Sequence, residues 1–119
     1  MDEDAIPKQV QDKLAQFQTL QQQLQLISLQ KQQMALHNGE IENAQKEIEE
    51  FKGGKVYRIV GPILVETSKE ESEKKMKDDY ELNKTRITVL EKQEKKLAEK
   101  LNELRTELQA MIKGPGQAG

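Results

Sequence analysis

With 119 residues, the chain has room for one domain and not for two. Charged residues make up 34% and hydrophobic residues 34%, with two Tyr, two Phe and no Trp, which is too little apolar material for a compact globular core. A formal net charge of −2 with no basic stripe argues against nucleic-acid binding, and zero cysteines exclude disulfides and thiolate chemistry.

No apolar run approaches the roughly 20 residues of a membrane span. Met1-Asp2-Glu3-Asp4 is acidic where a signal peptide is basic. The expectation is a soluble cytoplasmic protein with neither membrane nor nucleic acid as a partner.

The first predicted element is a long helix. Asp2 to Asp4 and Pro7 suit a helix start, because acids favour the N-terminal dipole and Pro is tolerated in the first turn. Val10, Phe17 and Leu24 then occupy a positions of a heptad, and Leu20, Ile27, Met34, Ile41 and Ile48 fill consecutive d positions. Such a pattern specifies a coiled coil, in which the polar a residues Lys31, Asn38 and Gln45 weaken the seam and fix its register. The Gln-rich run from Gln16 to Gln33 fits the helix, since Gln is a good helix former and the heptad passes through it. Asn38-Gly39 commonly marks a turn, but the d stripe keeps phase across it, so the pair is read as a weak point or bend. Gly53-Gly54 is expected to stop the helix at C′.

The next stretch, Lys55 to Glu66, is the one part of the chain that does not favour helix. β-Branched and aromatic residues dominate it, and Gly61-Pro62 divides it into two short strands. Gly at φ > 0 followed by Pro describes a type II′ hairpin turn. Tyr57 and Ile59 point one way, Val56 and Val60 the other, while Ile63, Leu64 and Val65 are apolar on both faces. An isolated hairpin is marginal in water, so Val56, Tyr57, Ile59, Val60, Ile63, Leu64 and Val65 are expected to be buried against hairpins of other chains.

Ser68-Lys69-Glu70-Glu71 fits a capping box that opens a second long helix. Its d positions are Met76, Leu90, Leu97, Leu104 and Met111, and its a positions Tyr80, Ile87, Leu101 and Leu108, with Asn83 and Glu94 as interruptions. Lys113-Gly114-Pro115 ends it. The reading is thus a mostly α chain, a single domain over residues 1–119, with helices over about 7–52 and 69–113, a hairpin over about 55–67 and a loose tail at 114–119.

Two helices of about 45 residues, each roughly 65 Å long, joined by a short hairpin are expected to pair antiparallel. Position i then lies opposite roughly 120 − i, which puts Asn38 beside Asn83 and Lys31 within a turn of Glu94. Ile6, Val10, Leu14 and Phe17 on the first helix, with Leu104, Leu108, Met111 and Ile112 on the second, share the end away from the hairpin. Leu14 and Ile112 exceed what a two-helix seam covers. Fraying there would expose an apolar, Met-containing tip able to hold apolar segments of other proteins; the plainer reading is that these residues complete the seam. Leu26, Leu29, Leu36, Leu82 and Val89 lie off the seam, either as ordinary surface residues or as contacts to a neighbouring subunit.

Nothing in the sequence supports catalysis. His37 is the single histidine, Asp78 and Asp79 diverge on a helix surface, and the glycines lack the spacing and Lys-Ser/Thr of a phosphate loop. No enzyme activity, cofactor or metal is expected.

Three segments carry a family resemblance: Val10-Gln11-Asp12-Lys13-Leu14-Ala15-Gln16-Phe17-Gln18 with Gln21-Gln22-Gln23, the hairpin Lys55 to Val65, and Leu90-Glu91-Lys92-Gln93-Glu94. From about Pro7 to Lys113 the chain resembles a prefoldin subunit of the β class, of archaeal type; a single hairpin matches that class, since α-class subunits carry two. The resemblance implies a hetero-hexamer of two α-class and four β-class subunits, with hairpins forming intersubunit β-barrels and coiled coils projecting from them. It also implies ATP-independent capture of unfolded polypeptides at the tips and delivery to a group II chaperonin. On this chain the implied client-binding residues are Val10, Leu14, Phe17, Leu108, Met111 and Ile112. The alternative is a structural coiled-coil scaffold or spacer that binds no client.

Overall fold

The computed structural model describes residues 6–113. Helix α1 (Lys8–Glu50) leads into strand β1 (Val56–Val60), strand β2 (Ile63–Thr67) and helix α2 (Lys69–Lys113). The acidic start at Asp2 to Asp4, the Gly114-Pro115 stop and the tail at 114–119 lie outside the described residues. The fold is mostly α, with two long helices and one antiparallel hairpin.

Helix α1 opens on the carbonyl of Pro7, which accepts from the main-chain N–H of Val10 and of Gln11 at 3.0 and 3.1 Å. Proline serves here because the helix needs its carbonyl and not the N–H it lacks. The helix continues unbroken through Asn38-Gly39, where the sequence alone suggested a weak point or bend. Its C-terminus differs from the expected glycine stop. Glu50 is the last helical residue, and Phe51 N–H closes a tighter final turn onto Ile48 O at 3.2 Å. The Lys69 ammonium, from the first turn of α2, donates to the carbonyls of Glu49 and Phe51, each at 3.2 Å. A cation at a helix C-terminus both fills orphan acceptors and opposes the negative end of the dipole.

Helix α2 starts on Ser68, whose hydroxyl accepts the Glu71 N–H at 3.1 Å. The Glu71 carboxylate accepts from the Thr67 hydroxyl at 3.0 Å. The box therefore spans Thr67 as well as Ser68, a detail the Ser-x-x-Glu spacing does not specify.

All residues assigned to the a and d stripes, from Val10 to Ile48 and from Met76 to Met111, are buried or half-buried. None of the described side chains is fully enclosed, as a single seam between two helices requires. Stabilisation at about 25 cal/mol per Å² of apolar surface is therefore spread thinly along the helices.

The chain divides into two compact units, one formed by residues up to Gln30 with those from Leu90 onward, the other by Lys31–Val89. In the first unit Val10, Leu104 and Leu108 form a buried cluster against which Phe17, Leu20 and Met111 pack. Lys13 pairs with Glu107 at 2.9 Å, and Ser28 donates to Glu94 at 2.6 Å. In the second unit Asn83 Nδ2 donates to Asn38 Oδ1 at 3.0 Å, Asn38 Nδ2 donates to the Tyr80 carbonyl at 3.3 Å, and the Tyr80 hydroxyl donates to Glu42 at 2.8 Å. Antiparallel pairing in the expected register brings the two asparagines together. Each buried amide then satisfies the other, whereas either one opposite Leu would lose its partner.

Candidate functional site

The hairpin pairs Val60 with Ile63, Ile59 with Leu64, Arg58 with Val65, Tyr57 with Glu66 and Val56 with Thr67. Only Gly61 and Pro62 lie in the loop. Gly61 sits at φ +56°, a left-handed angle that costs an L-residue about 1–2 kcal/mol, and Pro62 supplies the negative φ that follows in a type II′ turn. Cross-strand partners share a face. One face therefore carries Tyr57, Ile59, Leu64 and Glu66, and the other Val56, Arg58, Val60, Ile63, Val65 and Thr67.

Both faces are largely open. Ile59 is 77% exposed and Leu64 66%, and Tyr57, Val60 and Ile63 are also exposed, while Val56 and Val65 are half-buried. Lys55 and Glu66 pair across the base of the hairpin at 3.4 Å. Between that base and the adjoining helices lies a groove of about 660 Å³, with Ile48, Phe51, Val56 and Met76 among its apolar lining and Arg58 among its polar lining. Phe51 escaped the sequence reading because it follows the last heptad position. Its ring fixes Gly54, since a Cβ there would come within 3.2 Å of Phe51 Cζ on a backbone at φ +97°.

A second apolar group belongs to the unit containing the helix ends. Of the residues that the family resemblance points to, Val10 and Leu108 are in the buried cluster, Phe17 and Met111 are half-buried against it, and Leu14 and Ile112 are exposed. Ile112 is 67% exposed and Leu14 40%, and Ile6, just before the start of α1, is exposed too. The reason lies in helical phase: Val10, Phe17, Leu104, Leu108 and Met111 occupy seam positions, whereas Leu14 and Ile112 each follow a seam residue and turn away from it.

Polar groups do not converge on either surface. His37 lies 3.7 Å from Glu40 on the exposed side of α1, and Asp79 pairs with Lys75 at 3.5 Å one turn earlier. Among the described residues no three His, Cys, Asp or Glu side chains are placed to hold a metal, and no helix is long and apolar enough to cross a membrane. Tyr80 has its pKa raised above the usual 10.0, first because its hydroxyl donates to Glu42 and second because that carboxylate's charge opposes ionisation.

A family model described as "Prefoldin subunit" matches residues 11–115. The prefoldin subunit beta of Thermococcus kodakarensis is 41% identical over 111 residues, covering 92% of this chain and 95% of its own. That of Thermococcus gammatolerans is 44% identical with the same coverage, and that of Methanosarcina acetivorans 36% identical over 92% of this chain and 94% of its own. The crystal structure of the prefoldin beta subunit from Thermococcus strain KS-1 matches with a TM-score of 0.78 at 41% identity, over 92% of this chain and 97% of that one. The beta2 subunit of the same strain matches with a TM-score of 0.68 at 30% identity, over 76% of this chain and 97% of its own. Helix, hairpin and helix in this order, matched along nearly the whole length, show that the chain belongs to the prefoldin family of chaperones and is of the β-subunit type.

Proposed function

We propose that this chain is the β-class subunit of a cytoplasmic hetero-hexamer with two α-class and four β-class members, acting as an ATP-independent holdase. Its hairpin joins hairpins of neighbouring subunits in a β-barrel platform. The helix ends hold unfolded polypeptides and pass them to a group II chaperonin. No step is catalytic and no cofactor is required.

The observation that carries this reading is the exposed apolar pair Leu14 and Ile112 beside the buried Val10, Leu104 and Leu108 cluster in a prefoldin-family chain. Exposed apolar side chains gain by covering whatever apolar segment meets them, at about 25 cal/mol per Å². Opening of the terminal turns adds Val10, Phe17, Leu108 and Met111 to the surface offered. The hairpin supports assembly in the same way: two apolar faces and two unpaired strand edges demand partners.

The test is light scattering from a chemically denatured client diluted into nucleotide-free buffer. The assembled complex is compared with one carrying Leu14→Ser and Ile112→Ser after native mass shows the two assemblies to be equal. The holdase reading expects suppression by the first and a marked loss of suppression by the second. Full suppression by both moves the client surface away from these residues, and none by either favours the spacer.

A further inference from the structure

Asn38-Gly39 is the chain's single Asn-Gly sequence, and the holdase reading gives it no role. Glycine in a helix interior costs about 1 kcal/mol relative to alanine. Packing does not require it, because nothing lies within 4 Å of a Cβ built at Gly39. The neighbouring amide, by contrast, is held on both sides. Asn38 is 6% exposed, its Nδ2 donates to the Tyr80 carbonyl at 3.3 Å, and its Oδ1 accepts from Asn83 Nδ2 at 3.0 Å. Asn83 is itself only 9% exposed.

We propose that Asn38 is a deamidation site kept silent by the helix and by the Tyr80–Asn83 clamp, and that its conversion loosens the pairing of the two helices in the unit Lys31–Val89. Asparagine is a thermolabile residue. In the reaction the main-chain nitrogen of Gly39 bonds to Asn38 Cγ, the Cγ–Nδ2 bond breaks, and the side-chain nitrogen leaves as ammonia with the former main-chain N–H proton. Water then opens the resulting succinimide at either carbonyl, giving aspartate or isoaspartate. Glycine hinders ring closure least, having no Cβ.

Two features of the folded chain oppose that attack. The Gly39 N–H is committed to the helical ladder, and helical backbone angles keep its nitrogen out of line with Cγ. The clamp in turn fixes the amide group toward α2. Reaction therefore requires local opening, and its rate reports how often this part of the seam opens. The product does not fit the closed seam. Aspartate puts a carboxylate oxygen where Nδ2 donated to the Tyr80 carbonyl, burying a charge against an acceptor. Isoaspartate adds a carbon to the main chain and breaks the ladder.

The full-length chain is incubated at elevated temperature and near-neutral pH, and residue 38 is followed by peptide mass mapping in four samples. Wild type in denaturant is expected to convert at residue 38 first, ahead of Asn43, Asn83 and Asn102. Native wild type is expected to convert far more slowly, and its converted fraction, once separated, to melt at a lower temperature. Asn83→Ala is expected to convert about tenfold faster than native wild type, as loss of one buried partner shifts the opening equilibrium. Gly39→Ala, which introduces no close contact, is expected to slow conversion at residue 38 at least about tenfold in denaturant, toward the rate of Asn43, which also precedes an alanine. Equal rates for native and denatured wild type, or an unchanged melt for the converted fraction, would overturn the proposal. Those two readouts stand even if Asn83→Ala loses its helices.

Discussion

The two units of the chain expose apolar side chains in different ways. On the hairpin, Ile59 and Leu64 stand on a two-stranded frame, paired with each other and open to solvent at 77% and 66%. At the helix ends, exposed Leu14 and Ile112 flank a cluster in which Val10 and Leu108 are buried. A strand surface with open edges offers a fixed template of main-chain hydrogen bonds and suits one matching partner. A helix end offers side chains on mobile turns and suits many partners loosely. The proposed function assigns the first surface to assembly and the second to clients.

Charge on the hairpin would break this comparison most completely. Ile59→Asp or Val65→Asp is expected to abolish assembly, because a carboxylate buried between subunits costs several kcal/mol. Native mass should fall to that of smaller species while helicity of the free chain persists; an unchanged mass would remove the platform role.

Next in size is a contrast within the terminal unit. Leu104→Ala should lower stability by about 2–4 kcal/mol, since it empties a buried position. Leu14→Ala should change it by less than about 0.5 kcal/mol yet reduce client retention. Thermal melts and a client-binding titration on the same variants separate packing from capture. Similar losses of stability in both would merge the two roles.

Two smaller effects concern how firmly the hairpin is mounted. Gly61→Ala should cost about 1–2 kcal/mol, because alanine resists φ +56°. Lys69→Met should cost about 0.3–1 kcal/mol by uncovering the carbonyls of Glu49 and Phe51, with a shorter α1 by hydrogen exchange.

The smallest effect is a pH dependence. Tyr80 keeps its proton longer folded than unfolded, so the Tyr80–Glu42 bond stabilises fully below the unfolded value of 10.0 and is lost as pH rises through the higher folded value. Melting temperatures of wild type and Tyr80→Phe should differ at neutral pH and converge as pH rises past 10.0.

The elements most legible in the sequence were those set by local rules. Gly61-Pro62 dictated its turn, because one residue needs positive φ and the next has a fixed negative one. Heptad phase placed Asn38 against Asn83, since two stripes that keep phase through their polar interruptions admit an antiparallel register that matches polar with polar. Contacts lying off the stripes were not legible. The Lys69 cap depends on where the end of α1 meets the start of α2, and Phe51 packs on Gly54 beyond the last heptad. Glu94 was expected near Lys31, but heptad spacing did not identify Ser28 as a hydrogen-bond donor to it at 2.6 Å. At the helix ends the pattern named the apolar residues and singled out Leu14 and Ile112 as surplus to the seam, and both are exposed.

The most direct measurement is side-chain footprinting of the assembled complex, with and without a bound unfolded client. The account predicts that Tyr57, Ile59 and Leu64 are protected in both samples, while Leu14 and Ile112 become protected only when client is present. Protection of Leu14 and Ile112 without client, or of the hairpin residues only with it, would contradict the division of labour between the two surfaces.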